Sequence, residues 1–271
     1  MHMKINQRTI QRLKKNYGKW VLITGATSGI GKEMALKFGE AGFNLVITGR
    51  RENLLNDLST LLFDRYQVEA IPICGDLSNE NDVNSLIGET SHLNIGVAVL
   101  NAGFGTSGKF IDANIKQEVN MLHLNCRALM VLTHHFANKM KDKPLKVPLY
   151  YQLYGGFQGV PNAAHYAATK AYVQSLGEAI ALELKPVGVD VLCAAPGPVE
   201  SGFSKRANMK MSTTLSPEVV GVPIIQAIGK KRTVLPGFLT KLLVYNLSMT
   251  PRWGKIRIMG KVMSGFTKHQ E

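Results

Sequence analysis

Tyr166 and Lys170 stand four residues apart in His165-Tyr166-Ala167-Ala168-Thr169-Lys170-Ala171, and together they could move a proton. On a helix, positions i and i+4 share a face, so the phenol and the ammonium can reach one cavity. A neighbouring Lys⁺ stabilises phenolate and draws a Tyr pKa down from about 10, which suits Tyr166 to general acid or base work. By itself the pair equally describes an exposed Tyr beside an exposed Lys.

A second group of residues gives the pair something to act with. Thr24-Gly25-Ala26-Thr27-Ser28-Gly29-Ile30-Gly31 follows the apolar run Trp20-Val21-Leu22-Ile23 and precedes a helical pattern with Met34, Ala35 and Phe38 on its apolar face. That is strand, glycine turn, helix. Glycines at 25, 29 and 31 allow a tight turn and a close backbone approach to a pyrophosphate, whose charge would sit at the helix N-terminus. The spacing differs from the commoner G-x-G-x-x-G, but the mechanics are the same.

With these two motifs the chain resembles the short-chain dehydrogenase/reductase family, over about residues 20–235. Further pieces in the expected order are Asp76-Leu77-Ser78, Asn101-Ala102-Gly103, Asn125 within Leu122-His123-Leu124-Asn125, and Pro196-Gly197-Pro198-Val199. The resemblance implies a Rossmann-type domain and hydride transfer between a nicotinamide cofactor and a carbonyl or alcohol. It implies catalytic roles for Tyr166, Lys170 and Asn125, the last bending its helix and supporting a water linked to Lys170. Gly25, Thr27, Ser28, Gly29, Ile30 and Gly31 would cradle the cofactor, and Tyr166 and Lys170 would also touch it. Asp76 and Leu77 would flank the adenine, Asn101 and Gly103 the ribose path. Pro196, Gly197 and Val199 would meet the carboxamide. The resemblance also implies a homodimer or homotetramer.

Cofactor choice is set at the end of the second strand. An NAD site places a carboxylate there for the ribose 2′-OH. Gly49-Arg50-Arg51 offers none, whereas a guanidinium fork suits a 2′-phosphate, so NADP(H) is expected at Arg50.

One position breaks the family pattern. The family places a Ser thirteen residues before the catalytic Tyr, where its hydroxyl holds the substrate carbonyl; here that residue is Leu153. Gln152 and Tyr154 adjoin it, but strand alternation turns them to the other face. Pro144 and Pro148 bracket the strand, consistent with a local frame disturbance in the gene or with true divergence. A missing donor weakens oxyanion stabilisation by roughly 10²–10³ in rate, so an impaired enzyme and a cofactor-binding protein without useful catalysis both stay open.

These groups must be positioned by alternating strands and helices. Apolar runs at 20–23, 44–48, 68–73, 96–100, 147–153, 190–194 and 232–235 read as strands. Helical patterns lie between them, notably 112–140, carrying Asn125, and 163–184, carrying Tyr166 and Lys170. Ser216-Pro217-Glu218 marks another helix start, with an N-cap and a Pro at N1. The alternation predicts an α/β fold, a doubly wound parallel sheet with its site at the strand C-terminal ends.

At 271 residues the chain has length for one large domain, flanked by a basic N-terminal segment at 1–19 and a basic amphipathic extension at 236–271. Three cysteines, Cys74, Cys126 and Cys193, lack metal-ligand spacing and read as reduced, buried thiols of a cytoplasmic protein. Met1-His2-Met3-Lys4 carries no apolar signal core.

The net charge of +13 is concentrated at the ends. Residues 1–19 carry six Lys/Arg and no acid, residues 230–271 nine and one, and the body seventeen and eighteen. The bland reading is two solvated tails. In the C-terminal stretch, apolar residues interleave with Lys and Arg around Phe238–Leu247 and Trp253–Met263. That composition suits either an anionic membrane interface or an ordinary packing or dimerisation helix. Nucleic acid is not expected as a partner, since the aromatics form no stacking platform. The substrate expected is a small apolar carbonyl or alcohol, acyl or steroid-like, closed in by Phe203–Leu215 and Phe238–Leu247. A third reading makes the chain a peripheral membrane scaffold.

Overall fold

The computed structural model describes residues 3–141, 147–152, 158–211 and 214–270. Seven strands, β1 (Trp20–Thr24), β2 (Asn44–Gly49), β3 (Ala70–Cys74), β4 (Ile95–Leu100), β5 (Val147–Gln152), β6 (Val189–Ala194) and β7 (Thr233–Val234), form one parallel sheet ordered β3-β2-β1-β4-β5-β6-β7. The helices are α1 (Gln7–Tyr17), α2 (Gly29–Glu40), α3 (Glu52–Tyr66), α4 (Glu80–Glu89), α5 (Ile115–Leu122), α6 (Leu129–Met140), α7 (Ala164–Glu183), α8 (Phe203–Arg206), α9 (Pro217–Ala227), α10 (Phe238–Ser248) and α11 (Arg252–Thr267). The order reverses between β1 and β4, which opens a crevice at the strand C-terminal ends.

Alternation along the strands builds two cores. Val21 and Ile23, with Val97 and Val99, face the layer of Met34, Phe38 and Ile225. Leu22, Ala98 and Leu100 face the opposite layer of Met121, Phe136 and Val173. A strand buried on both faces must be apolar throughout, and β4 is buried at all six positions. In β5, Pro148 pairs with Asp190 of β6, while pairing with β4 begins only at Leu149. The proline thus enters where one neighbour, not two, is in register.

Several sequence expectations are corrected here. The helix expected over 112–140 is in three parts, because Asn114 caps α5 by accepting from Gln117 N and because His123–Ala128 forms a wide π turn. Ser216 stands at the N-cap of α9 without a side-chain capping bond. Cys74 is exposed; only Cys126 and Cys193 are buried.

The basic N-terminus is no solvated tail. Leu13 and Tyr17 of α1 are buried, and the Tyr17 hydroxyl donates to Asp190 at 2.9 Å. Arg12 donates to the Ile228 carbonyl at 2.6 Å, spending its charge at the C-terminus of α9. A Cβ at Gly96 would collide with the Tyr17 carbonyl, so the docking requires glycine there. The C-terminal extension likewise packs: Met263 of α11 is buried, and Met259 and Phe266 lie against the core.

Candidate active site

The crevice is a cleft of about 340 Å³, and its floor is the turn after β1. Gly25 and Gly29 have positive φ, 69° and 56°. A Cβ on Gly25 would lie 3.0 Å from Ala102 Cα. On Gly31 it would meet the Gly25 carbonyl and come within 2.5 Å of Asn101 Nδ2. Glycine is therefore forced by backbone shape at one site and by crowding at the other. Asn101 donates from Nδ2 to the Thr24 carbonyl at 3.0 Å, and Thr24 Oγ1 accepts from Ala102 N at 2.9 Å. These bonds tie the ends of β1 and β4 together beneath the cleft.

Two features of this floor fit a phosphate-bearing, hydrogen-bonding ligand. Ser28 makes no side-chain cap, so the first N–H groups of α2 are left to the cleft. Asn101 Oδ1 is buried with no hydrogen-bond partner among the described residues. At the end of β2, Arg51 donates to Thr27 Oγ1 at 2.6 Å, and Arg50 lies 3.6 Å from Asp76 Oδ2. Asp76 is held below the usual carboxylate range, against its burial, by hydrogen bonds from Ser78 and by Arg50.

The opposite end of the cleft holds the residues expected from the sequence to transfer a proton. Tyr166 lines it, and Lys170 lies one turn on along α7, its Nζ 5.6 Å from the Tyr166 ring centroid. Lys170 is buried, and burial pushes its ammonium down to about 8. Asn125, in the π turn, accepts from Phe104 N at 3.1 Å and donates to Phe104 O at 2.8 Å and Thr169 Oγ1 at 3.1 Å. Its side chain thus pins the loop after β4 to the helix that carries Lys170. A Cβ on Gly103 would sit 3.0 Å from Asn125 Oδ1 and 3.4 Å from Lys170 Nζ.

The predicted residues therefore fall into two sets. Gly25, Thr27, Ser28, Gly29, Ile30, Arg50, Asp76, Leu77, Asn101, Gly103, Tyr166, Pro196, Gly197 and Val199 line the cleft itself. Gly31, Asn125 and Lys170 stand behind its wall. Leu153 lies outside the described residues.

Sequence reasoning expected Phe203–Leu215 to close in the substrate but missed the individual contacts of Phe203 and Arg206. Phe203 packs against Tyr166, ring centroids 5.3 Å apart, and Arg206 lines the cleft one turn later. The signal was a Phe and an Arg at i and i+3 just after Pro196–Val199. Also missed was the role of the C-terminus as a fastening over the site. Asn162 donates to Thr267 Oγ1, Lys210 N to Phe266 O, and Gln270 Nε2 to Ser107 Oγ. The loops after β4, β5 and β6 are all tied to α11 or the turn that follows it.

Residues 19–212 match the family model described as short chain dehydrogenase. The chain belongs to the short-chain dehydrogenase family. This short-chain dehydrogenase, an oxidoreductase by family, is 27% identical over 253 residues to a 7beta-hydroxysteroid dehydrogenase of Clostridium sardiniense, covering 92% of this chain and 97% of the relative. It is 30% identical over 194 residues to a very-long-chain 3-oxoacyl-CoA reductase of Pyrenophora tritici-repentis, covering 69% and 57%. A solved structure reported for 7beta-hydroxysteroid dehydrogenase stereoselectivity superposes with a TM-score of 0.83 at 27% identity, covering 91% of this chain and 98% of that one. The fold is shared with a short-chain dehydrogenase from Sphingobium yanoikuyae, TM-score 0.77, 24% identical over 85% of this chain and 93% of that one. No described helix is long and apolar enough to cross a membrane.

Proposed function

We propose that this short-chain dehydrogenase uses NADP(H) to reduce a ketone, or oxidise the corresponding alcohol, on an apolar acyl or steroid-like substrate. The observation that carries the reading is the pairing of a buried Lys170 with the cleft-lining Tyr166 at one end and Arg50 and Arg51 at the other. When bound, a nicotinamide cofactor supplies the hydride. Everything else falls to the chain. Tyr166 Oη gives a proton to the carbonyl oxygen as negative charge gathers there. The Lys170 ammonium favours the phenolate left behind, and burial strengthens that effect because water does not screen it. Asn125 keeps both groups in register by bonding the loop after β4 to α7. Phe203 supplies an apolar face beside the Tyr166 ring, which supports an apolar substrate, as do relatives named for steroid and acyl substrates.

Exposed Ile115, Val119 and Leu122 on α5 support a second copy of the chain as partner, in a dimer or tetramer. The buried free thiols Cys126 and Cys193 suit a reducing, cytoplasmic setting. Leu153, where the family carries a carbonyl donor, supports a rival reading as a cofactor-binding protein with weak or no turnover.

Titration with each cofactor tests the leading proposal. NADPH should bind well ahead of NADH, and Arg50→Asp should shrink or reverse the gap. Equal affinity in the unmutated chain would refute the NADP preference, and absence of NADPH oxidation across a panel of ketones would favour the rival.

A further inference from the structure

Arg206 is placed unlike the other arginines of the cleft. It belongs to α8, on the wall formed after β6, whereas Arg50 and Arg51 follow β2 on the facing wall. Its guanidinium lies over the Phe104 ring, 3.7 Å from the centroid, and Phe104 is buried. Stacking uses the flat face of the guanidinium and leaves its in-plane N–H donors at the edge. Among the described residues no hydrogen bond or ion pair occupies them. Burial, followed by the charge of Arg50, pushes the group down to about 10, with Asp76 opposing. Arg206 therefore feels the two charged residues at the nucleotide end of the cleft. Phe203, at the start of the same short helix, meets Tyr166 at the reacting end. α8 thus lays Phe203 against Tyr166 and Arg206 over Phe104, both on the wall of the cleft that Arg50 also lines.

Among the described residues, three guanidiniums and one carboxylate, that of Asp76, line the cleft. Arg51 donates to Thr27 and Arg50 is ion-paired with Asp76, whereas Arg206 makes neither a hydrogen bond nor an ion pair among the described residues. Like charges lining one cleft repel, and a polyanion lying between the walls offsets that repulsion.

We propose that Arg206 is a phosphate-binding residue of the dinucleotide site, reaching a cofactor phosphate from the wall opposite Arg50 and so holding the 200–211 segment over the bound cofactor. This rests on the dinucleotide reading above, though not on its preference for NADP over NAD. An isolated arginine over a ring would be a surface feature; one over a buried ring, in a cleft that Arg50 and Arg51 also line, favours an anion. A phosphate suits the planar fork better than a point charge does, because two N–H groups can meet two oxygens at once.

Equilibrium titration of the full chain with NADPH and with NADH, for wild type, Arg206→Gln and Arg206→Lys, tests this. Arg206→Gln should weaken binding about ten- to a hundred-fold, the worth of one charge-assisted pair. Arg206→Lys should recover part of it. Loss for both cofactors supports a contact with the pyrophosphate, and loss for NADPH alone supports one with the 2′-phosphate. Urea unfolding without ligand should show Arg206→Gln folded, so that a loss of affinity reads the phosphate contact and not the fold. Unchanged affinity for both cofactors in folded Arg206→Gln overturns the proposal. So does unchanged affinity joined to a raised KM for a carboxylate-bearing ketone, which would make Arg206 a substrate residue. Wild type binding neither cofactor would instead overturn the dinucleotide reading itself.

Discussion

Replacing Lys170 by Met should make the protein more stable and nearly inactive. The ammonium is buried, and its fall from an ordinary 10.5 to about 8 measures how much the fold disfavours the charge. At 1.36 kcal/mol per pH unit that is roughly 3 kcal/mol. Met retains the apolar stem and fills similar space, so repacking returns only part of the gain, and about 1–3 kcal/mol of net stabilisation at pH 7 is expected. The sign can be followed with pH. Below about 8 the lysine is charged in both folded and unfolded chains, and the cost is present in full. Between 8 and 10.5 the unfolded chain binds more protons than the folded one, so wild-type stability gains as pH rises. Above 10.5 the cost has gone. Urea unfolding of wild type and Lys170→Met, at pH 7 and again at pH 10, should therefore show a gap that favours the variant and then shrinks. Titrations remote from Lys170 are common to both proteins and cancel; that of Cys126, which burial raises and the Lys170 charge lowers, does not. Ketone reduction measured in parallel should collapse in kcat, since the phenolate of Tyr166 has lost its neighbouring charge. A variant less stable than wild type at pH 7, or a gap that ignores pH, would refute the burial argument. Full turnover in the variant would refute the proton-transfer role. The two expected outcomes together would mark a position where stability is given up to hold a functional charge.

Three further outcomes are expected. Gly103→Ala places a Cβ 3.0 Å from Oδ1 of Asn125, whose side-chain amide is fastened by three hydrogen bonds and cannot easily yield; a destabilisation of about 1–3 kcal/mol with a fall in kcat should appear in unfolding and steady-state assays. Leu153→Ser should raise kcat about ten- to a thousand-fold on a reactive ketone with little change in NADPH affinity, and Tyr166→Phe in that background should abolish the gain. On the outer face of the C-terminal helices, Tyr245, Met249 and Trp253 are exposed and Arg257 lies 5.2 Å from the Trp253 ring centroid. Co-sedimentation with anionic vesicles should retain the intact protein at low salt and release part of it as salt rises, whereas indifference at low salt would return these helices to packing alone.

What the amino-acid order determined by itself was whatever depends on near neighbours. Positive φ at Gly25 and Gly29, the apolar alternation of β1 and β4, and the i, i+4 placing of Tyr166 and Lys170 are local properties of backbone and side chain, and they were legible without the fold. The parallel sheet followed from alternating strands and helices, because a parallel pair needs a long crossover. The tertiary structure decided whatever depends on residues distant in the chain. Only packing shows that Arg12 caps α9 and that α1 is bound to the body, since a basic amphipathic stretch reads alike whether docked or free. Only packing exposes Cys74 at the end of an otherwise strand-like run. The π turn at His123–Ala128 follows no local propensity; it accompanies an Asn125 whose bonds reach the loop after β4 and α7 at once. Arg206 and Arg50 come to face one cleft because β2 and β6 lie on opposite sides of the point where the strand order reverses. Their mutual repulsion is a property of space, and no stretch of neighbouring residues could have encoded it.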